Sequence, residues 1–182
     1  MVDPAFGPFL FDTSAESWLA RSRDPAVRGW FEKYLKLHPV HVSAITVLER
    51  MRGYALLLTR VARERQAQIA FARQAYLDAV GTVWPIDVAV ALVAAELVAL
   101  LPQPPTPPKR AHRMAESRQE RLSRWRFDIL IAATALVSAL PLIHDNPEDF
   151  EAIRTAIEIS PERFPDLGPL NLIRTLRLAG RQ

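Results

Sequence analysis

The sequence predicts an α/β protein in which helices cover both faces of a mostly parallel central sheet, a three-layer α/β/α sandwich. Three observations predict it. Short apolar runs of strand length alternate with longer segments of helical spacing. The short runs are apolar throughout rather than every second residue, as strands buried on both faces must be. The chain has 182 residues, 49% of them hydrophobic, which suffices for one sizeable core, so a single domain over residues 1–182 is expected.

Phe9-Leu10-Phe11 reads as the first strand, ended by Asp12-Thr13-Ser14, residues that cap helices. Helical spacing covers Ser14–Arg21 and Pro25–Leu37, the second opened by Asp24 with Pro25 in its first turn. Val40–Thr46 (VHVSAIT) reads as a second buried strand. Thr46-Val47-Leu48-Glu49 fits a capping box and opens a helical region reaching Val80, divided near residues 60–66 into two antiparallel helices. Thr82–Asp87 is the third strand and Val88–Leu101 a strongly apolar helix.

Pro102–Pro108 (PQPPTPP) places five prolines in seven residues, which excludes helix and central strand and predicts an extended linker. A basic helical segment follows from about Ala115, so residues 102–126 read as an insertion. Asp128–Leu140 reads as a buried helix, Pro141–His144 as the fourth strand, Pro147–Ile153 as a short helix and Ala156–Ile159 as the fifth strand. The tail from Asn171 to Gly180 is amphipathic.

Composition excludes several classes of function. Cysteine is absent, so there are no disulfides, thiolate metal sites or cysteine nucleophiles, and a cytoplasmic location is expected. No basic start precedes an apolar stretch at the N-terminus. The longest uncharged run, Ile129–Ile143, is interrupted by Pro141 and falls short of the roughly 20 apolar residues a membrane span needs, so no membrane partner is expected. No Walker-type, dinucleotide, zinc-protease or nucleophile-elbow motif is present. His144 stands beside the acids described next and reads as a strand-end residue rather than a base.

The acids converge. Asp12 closes the first strand, Glu49 follows the second by a helical turn, and Asp145, Asn146, Glu148 and Asp149 close the fourth. A 13-residue helix from Asp128 is about 20 Å long. The fourth strand runs back antiparallel to it, returning its acidic end toward Asp128. Ligands of parallel sheets gather at the carboxyl ends of strands. Clustered carboxylates repel unless a cation is present, and oxygen donors select Mg²⁺ or Mn²⁺, which can activate water and clamp a phosphodiester. Singly, each acid also fits a structural role: Asp12 and Asp128 as helix caps, Glu49 as a capping-box residue.

Charge points the same way. Net charge is +3, but Lys109–Arg126 holds seven Lys/Arg against Glu116 and Glu120, a local +5 that leaves −2 for the rest. Such a stretch suits a polyanion or an acidic protein partner, or else a solvated helix face.

FLFDTS, SAITVLERMRG, FDILIAATAL and IHDNPEDF, in this order, resemble the PIN-domain ribonucleases, above all the VapC-type toxins of toxin–antitoxin pairs. The similarity spans about residues 8–160, and DILIAATAL is its most distinctive piece. The resemblance implies a metal-dependent endoribonuclease with Asp12, Glu49 and Asp128 as catalytic acids holding one or two Mg²⁺ or Mn²⁺. The family's fourth acidic position falls on Asn146, a weaker neutral ligand, so Asp149, or else Asp145, would complete a metal set with Asp12, Asp128 and Asn146. Thr13 or Ser14 resembles the hydroxyl that supports the first acid. Arg118, Arg121, Arg124 and Arg126 are expected to face RNA, with Trp125 either stacking on a base or packing in the core. A cognate antitoxin, whose C-terminal segment brings a basic side chain to the acids, is implied as partner. A homodimer is expected from the resemblance and from apolar helix surface at Tyr54, Leu57 and Leu58. The alternatives are a PIN-fold module that binds RNA or protein without cutting, and a sugar or phosphate hydrolase of another α/β family.

Overall fold

The computed structural model describes residues 2–107 and 116–179. Five short strands form one sheet: β1 (Leu10–Phe11), β2 (His41–Ser43), β3 (Thr82–Trp84), β4 (Leu142–His144) and β5 (Leu172–Arg174). Their order is β3-β2-β1-β4-β5, and every pairing is parallel. The helices are α1 (Thr13–Arg21), α2 (Pro25–Leu37), α3 (Ala44–Arg60), α4 (Arg63–Ala79), α5 (Val88–Leu100), α6 (Arg118–Val137) and α7 (Pro147–Ile159).

The period-2 geometry of β1 splits the core in two. Leu10 faces a cluster with Leu97, Trp125, Ile129, Leu142, Phe150 and Ile153 from α5, α6, β4 and α7. Phe9 and Phe11 face the other way, onto Leu19, Val27, Trp30 and Tyr34 of α1 and α2. The three-layer sandwich follows. Trp30 and Tyr34 stack at 5.5 Å between ring centres and 8° between planes, closing the second layer. Gly81 leads into β3 because a Cβ there would lie 2.6 Å from the Val40 carbonyl oxygen.

Four sequence expectations are corrected. The second strand ends at Ser43, whose hydroxyl accepts the Ile45 N–H and caps α3. Thr46 and Glu49 therefore lie inside the helix and form no capping box; that motif occurs instead at Ser117 and Glu120. The basic segment from Arg118 and the apolar segment from Asp128 are one continuous helix, α6, so Asp128 caps nothing. Ala156–Ile159 completes α7, and the fifth strand lies in the tail at Leu172–Arg174. The linker is without helix or strand from residue 102 to residue 107, while Pro108, Lys109, Arg110, Arg113 and Ala115 lie outside the described residues. Among the described residues no helix is long and apolar enough to cross a membrane.

Candidate active site

Asp12 directly follows β1 and serves as the N-cap of α1, its Oδ1 accepting the Ala15 N–H at 2.5 Å. Only 4% of it is exposed. Burial pushes its pKa up to about 7; backbone N–H groups of Ala15 and Asp145 oppose the shift, while the charges of Asp145 and Glu49 add to it. Glu49 stands on the second turn of α3, and its Oε2 accepts the Thr13 hydroxyl. Burial raises its carboxyl as well, against Thr13, Arg52 and Arg124. Thr13 thus supports Glu49, while Ser14 is exposed at the rim.

Asp128 reaches the same place from the middle of α6. Its carboxyl is held well above the ordinary range by burial, then by Asp149, Asp12 and Glu49. Asn146, at the start of α7 just past β4, ties the two ends of the apolar run together. Its Nδ2 donates to Asp128 Oδ2 at 3.1 Å and to Asp149 Oδ2 at 2.6 Å. The helix–strand hairpin inferred from the sequence therefore closes as expected, although Asp128 sits mid-helix. Asp145 turns its Oδ1 to the Thr175 hydroxyl at 2.9 Å.

The donor chemistry suits a hard divalent cation. Asp12, Glu49 and Asp128 offer oxygen only, and their raised affinity for protons is what an ion among them would reverse. Among the described residues, however, no three His, Asp or Glu side chains stand as a ready ligand cage. Asn146 turns its amide nitrogen, not its oxygen, toward Asp128 and Asp149.

The basic residues divide. Arg118 and Arg126 are exposed, and Arg124 is half-buried with Nη2 3.0 Å from Glu116 Oε2. Arg121 is 1% exposed, so it cannot face RNA; its Nη2 lies 2.6 Å from Asp149 Oδ1. The reason is helical phase: Arg121, Trp125, Asp128 and Ala132 share the inward face of α6. Trp125 is 1% exposed and donates Nε1–H to the Leu101 carbonyl at 3.0 Å, a packing residue and not a stacking platform.

His144 is fully buried against Phe150, and burial lowers its pKa to about 4, so it is neutral near pH 7.

Two clefts flank the acids. One is lined by Thr13, Ser17, Trp18, Arg21, Arg23 and Asp145. The other is lined by Glu49, Arg52, Gln119, Ser123, Arg124 and Phe127. Thr13, which lines the first, bonds Glu49, which lines the second. Sequence reasoning missed Arg52 and the Arg121–Asp149 pair. The i, i+3 spacing of Arg52 from Glu49 was a signal for the first, and the periodicity of α6 for the second.

Several solved structures share this fold. VapBC2 from Rickettsia felis, bound to a DNA fragment from its promoter, superposes with TM-score 0.57 at 14% identity, covering 91% of this chain and 97% of that one. FitAB bound to a DNA fragment gives 0.58 at 22% identity, covering 92% and 95%. FitAcB from Neisseria gonorrhoeae gives 0.53 at 23%, covering 80% and 93%. No curated protein sequence matches significantly. The PIN domain family matches residues 9–156, a span that takes in β1 through most of α7 and every acid of the cluster, and the chain is therefore a member of the PIN domain family.

Proposed function

We propose that this PIN domain is a metal-dependent endoribonuclease and the toxin of a toxin–antitoxin pair. The observation that carries the reading is the buried acid cluster at the carboxyl ends of β1 and β4. There burial raises the proton affinity of Asp12, Glu49 and Asp128, and the charge of Glu49 adds to it at both aspartates, a costly arrangement unless a cation joins them. Mg²⁺ or Mn²⁺ bound there would supply a Lewis acid that acidifies water and offsets phosphodiester charge. Asp12 and Asp128 are the residues to hold the ion. Glu49, steadied by Thr13 and open to the cleft, takes the proton of the attacking water. Asn146 fixes the Asp128 carboxylate. The likeness to VapBC2 and FitAB supports the toxin assignment. Of the apolar surface expected on α3, Leu57 is exposed while Tyr54 and Leu58 are half-buried; Leu57 with the exposed Leu56 and Phe71 of the α3–α4 hairpin supports an antitoxin segment and a second copy of the chain as partners. Cytoplasmic RNA is the substrate this implies. The deciding experiment incubates purified chain with RNA in Mn²⁺, Mg²⁺ or EDTA. Cleavage with either ion and none in EDTA is expected, and RNA left intact under saturating metal would sink the reading.

Glu49 has its own test. It caps no helix, so Glu49→Gln should change stability by less than about 1 kcal/mol. As a proton acceptor it should cost roughly 10²-fold or more in cleavage rate. Equal rates in single-turnover assays would return Glu49 to a bystander of Thr13.

Substrate binding is testable through salt. Arg52 and Arg124 line the cleft beside Glu49 and would contact the phosphates of an RNA bound there. Each phosphate neutralised on a single strand contributes about −0.7 to the slope of log affinity against log salt. Changing both arginines to Gln should flatten the slope by at most about 1.4. Arg121, being buried, belongs in no such set. An unaltered slope would move the RNA path to the opposite cleft, at Arg21 and Arg23.

A further inference from the structure

We infer that Arg121 is a built-in cation of the acid cluster, holding Asp149 neutralised so that the site takes one divalent ion rather than two; this rests on the reading of the cluster as a metal site. The guanidinium is fixed from two sides. Its Nη2 lies 2.6 Å from Asp149 Oδ1 and 2.8 Å from the Thr106 hydroxyl, and its Nε donates to the Thr106 carbonyl at 3.2 Å. Thr106 belongs to the Pro-rich segment, so one task of that segment is to seat this cation.

The other oxygen of Asp149 is also occupied. Asn146 Nδ2 donates to it at 2.6 Å and to Asp128 Oδ2 at 3.1 Å. An amide NH₂ carries protons and offers a metal no lone pair. The oxygens of Asp128 and Asp149 that would be needed to hold a second ion are thus occupied by protein donors. A continuous relay results: Thr106, Arg121, Asp149, Asn146, Asp128. Arg121 precedes Asp128 by two helical turns on the same buried face of α6, so the cation and the ligand it serves are set by one rigid element.

Charge agrees. Arg121 offsets the charge of Asp149 directly, as Arg52 and Arg124 oppose that of Glu49 from the other side. Arg121 touches neither the proposed ion nor a substrate, so it is a positioning residue.

The experiment counts Mn²⁺ per full-length chain by electron paramagnetic resonance and titration calorimetry. Wild type is expected to bind one ion, with no Mn–Mn coupling in the spectrum. Folded Arg121→Gln should bind two, with coupling visible, and Arg121→Lys, which keeps the charge, should return to one. An ion pair of merely structural importance would change stability and leave the folded Gln variant at one ion, which overturns the inference. Two ions in wild type or in Arg121→Lys also overturn it, and these counts decide the matter should the Gln variant not fold. No Mn²⁺ bound to wild type would overturn the metal-site reading itself, and this inference with it.

Discussion

Asp128→Asn is expected to lower metal-dependent RNA cleavage on the order of 10³-fold while leaving the chain folded. The substitution keeps shape and removes one negative charge from a group 9% exposed. As a Lewis-acid site contributes several kcal/mol of transition-state stabilisation, losing a principal carboxylate forfeits about 4 kcal/mol. Stability should move the other way. Burial and the charges of Asp149, Asp12 and Glu49 all disfavour ionised Asp128, so an amide there relieves the metal-free protein. Asp12→Asn should behave alike, since its Oδ1 still accepts the Ala15 N–H as Asn. Single-turnover cleavage of a labelled RNA, together with thermal melts in EDTA, reads both effects. Wild-type rates in both variants would remove these acids from the site. Lost activity accompanied by a fallen melting temperature would make them structural.

The pattern of activity loss with stability gain matters because either effect alone has a bland cause. A damaged core loses both. A surface charge loses neither. Only residues held in an unfavourable ionised state for the sake of a ligand should separate them.

How far the sequence reveals this site depends on the residue. Asp12 was legible because three adjacent signals agree: an apolar run, a capping side chain and a helical spacing after it. Asn146 and Asp128 were legible as neighbours from chain length alone, since a helix followed by an antiparallel strand must bring its ends together, and the 3.1 Å bond between them is the result. The nature of each position was less so. Ser43 and Thr46 are both possible caps three residues apart. Pairing decided between them: β2 stays in register with β3 through Ser43↔Trp84, and the helix begins at the next residue. Local sequence does not record where a partner strand ends.

The α6 boundary failed for a different reason. Charged residues before Phe127 and apolar residues after it suggested two elements, yet a change in solvent exposure along a helix is not a break in it. The inward face runs unbroken through Arg121, Trp125, Asp128, Ala132 and Leu136, and following that stripe would have placed Arg121 inside. The end of α7 resembles a strand because Ile157-Glu158-Ile159 alternates like one. Phe150, Ile153, Ala156 and Ile157 are its helical face, and that longer period wins once the whole segment is counted.

Stripped of divalent ions, the protein is expected to lose the stability contributed by Asp12 as pH rises from about 4 to about 7, opposite to the acid lability of ordinary ion-paired carboxylates. Asp12 ionises around its ordinary 3.8 in the unfolded chain and at about 7 when folded. The folded state therefore binds the proton more tightly throughout that window. The stabilisation is fully present below the unfolded value and is lost as pH climbs through the folded one. At about 1.4 kcal/mol per pH unit of difference, the loss amounts to roughly 4 kcal/mol, and Asp128, raised in the same direction, adds to it. His144, lowered from 6.5 to about 4 by burial, works in the opposite direction below about pH 6.5, so the Asp12 contribution is read as the difference between wild type and Asp12→Asn rather than from wild type alone. Mn²⁺ should restore most of it at pH 8 and little at pH 5, where a proton already occupies Asp12 and competes with the ion. Asp12→Asn should therefore gain stability relative to wild type as pH rises, and should respond less to metal. Thermal melts at the two pH values, in EDTA and in Mn²⁺, provide the measurement. A wild type that gains stability relative to Asp12→Asn from pH 5 to pH 8 in EDTA would mean that the cluster is relieved by protein groups alone, leaving no electrostatic demand for an ion at Asp12.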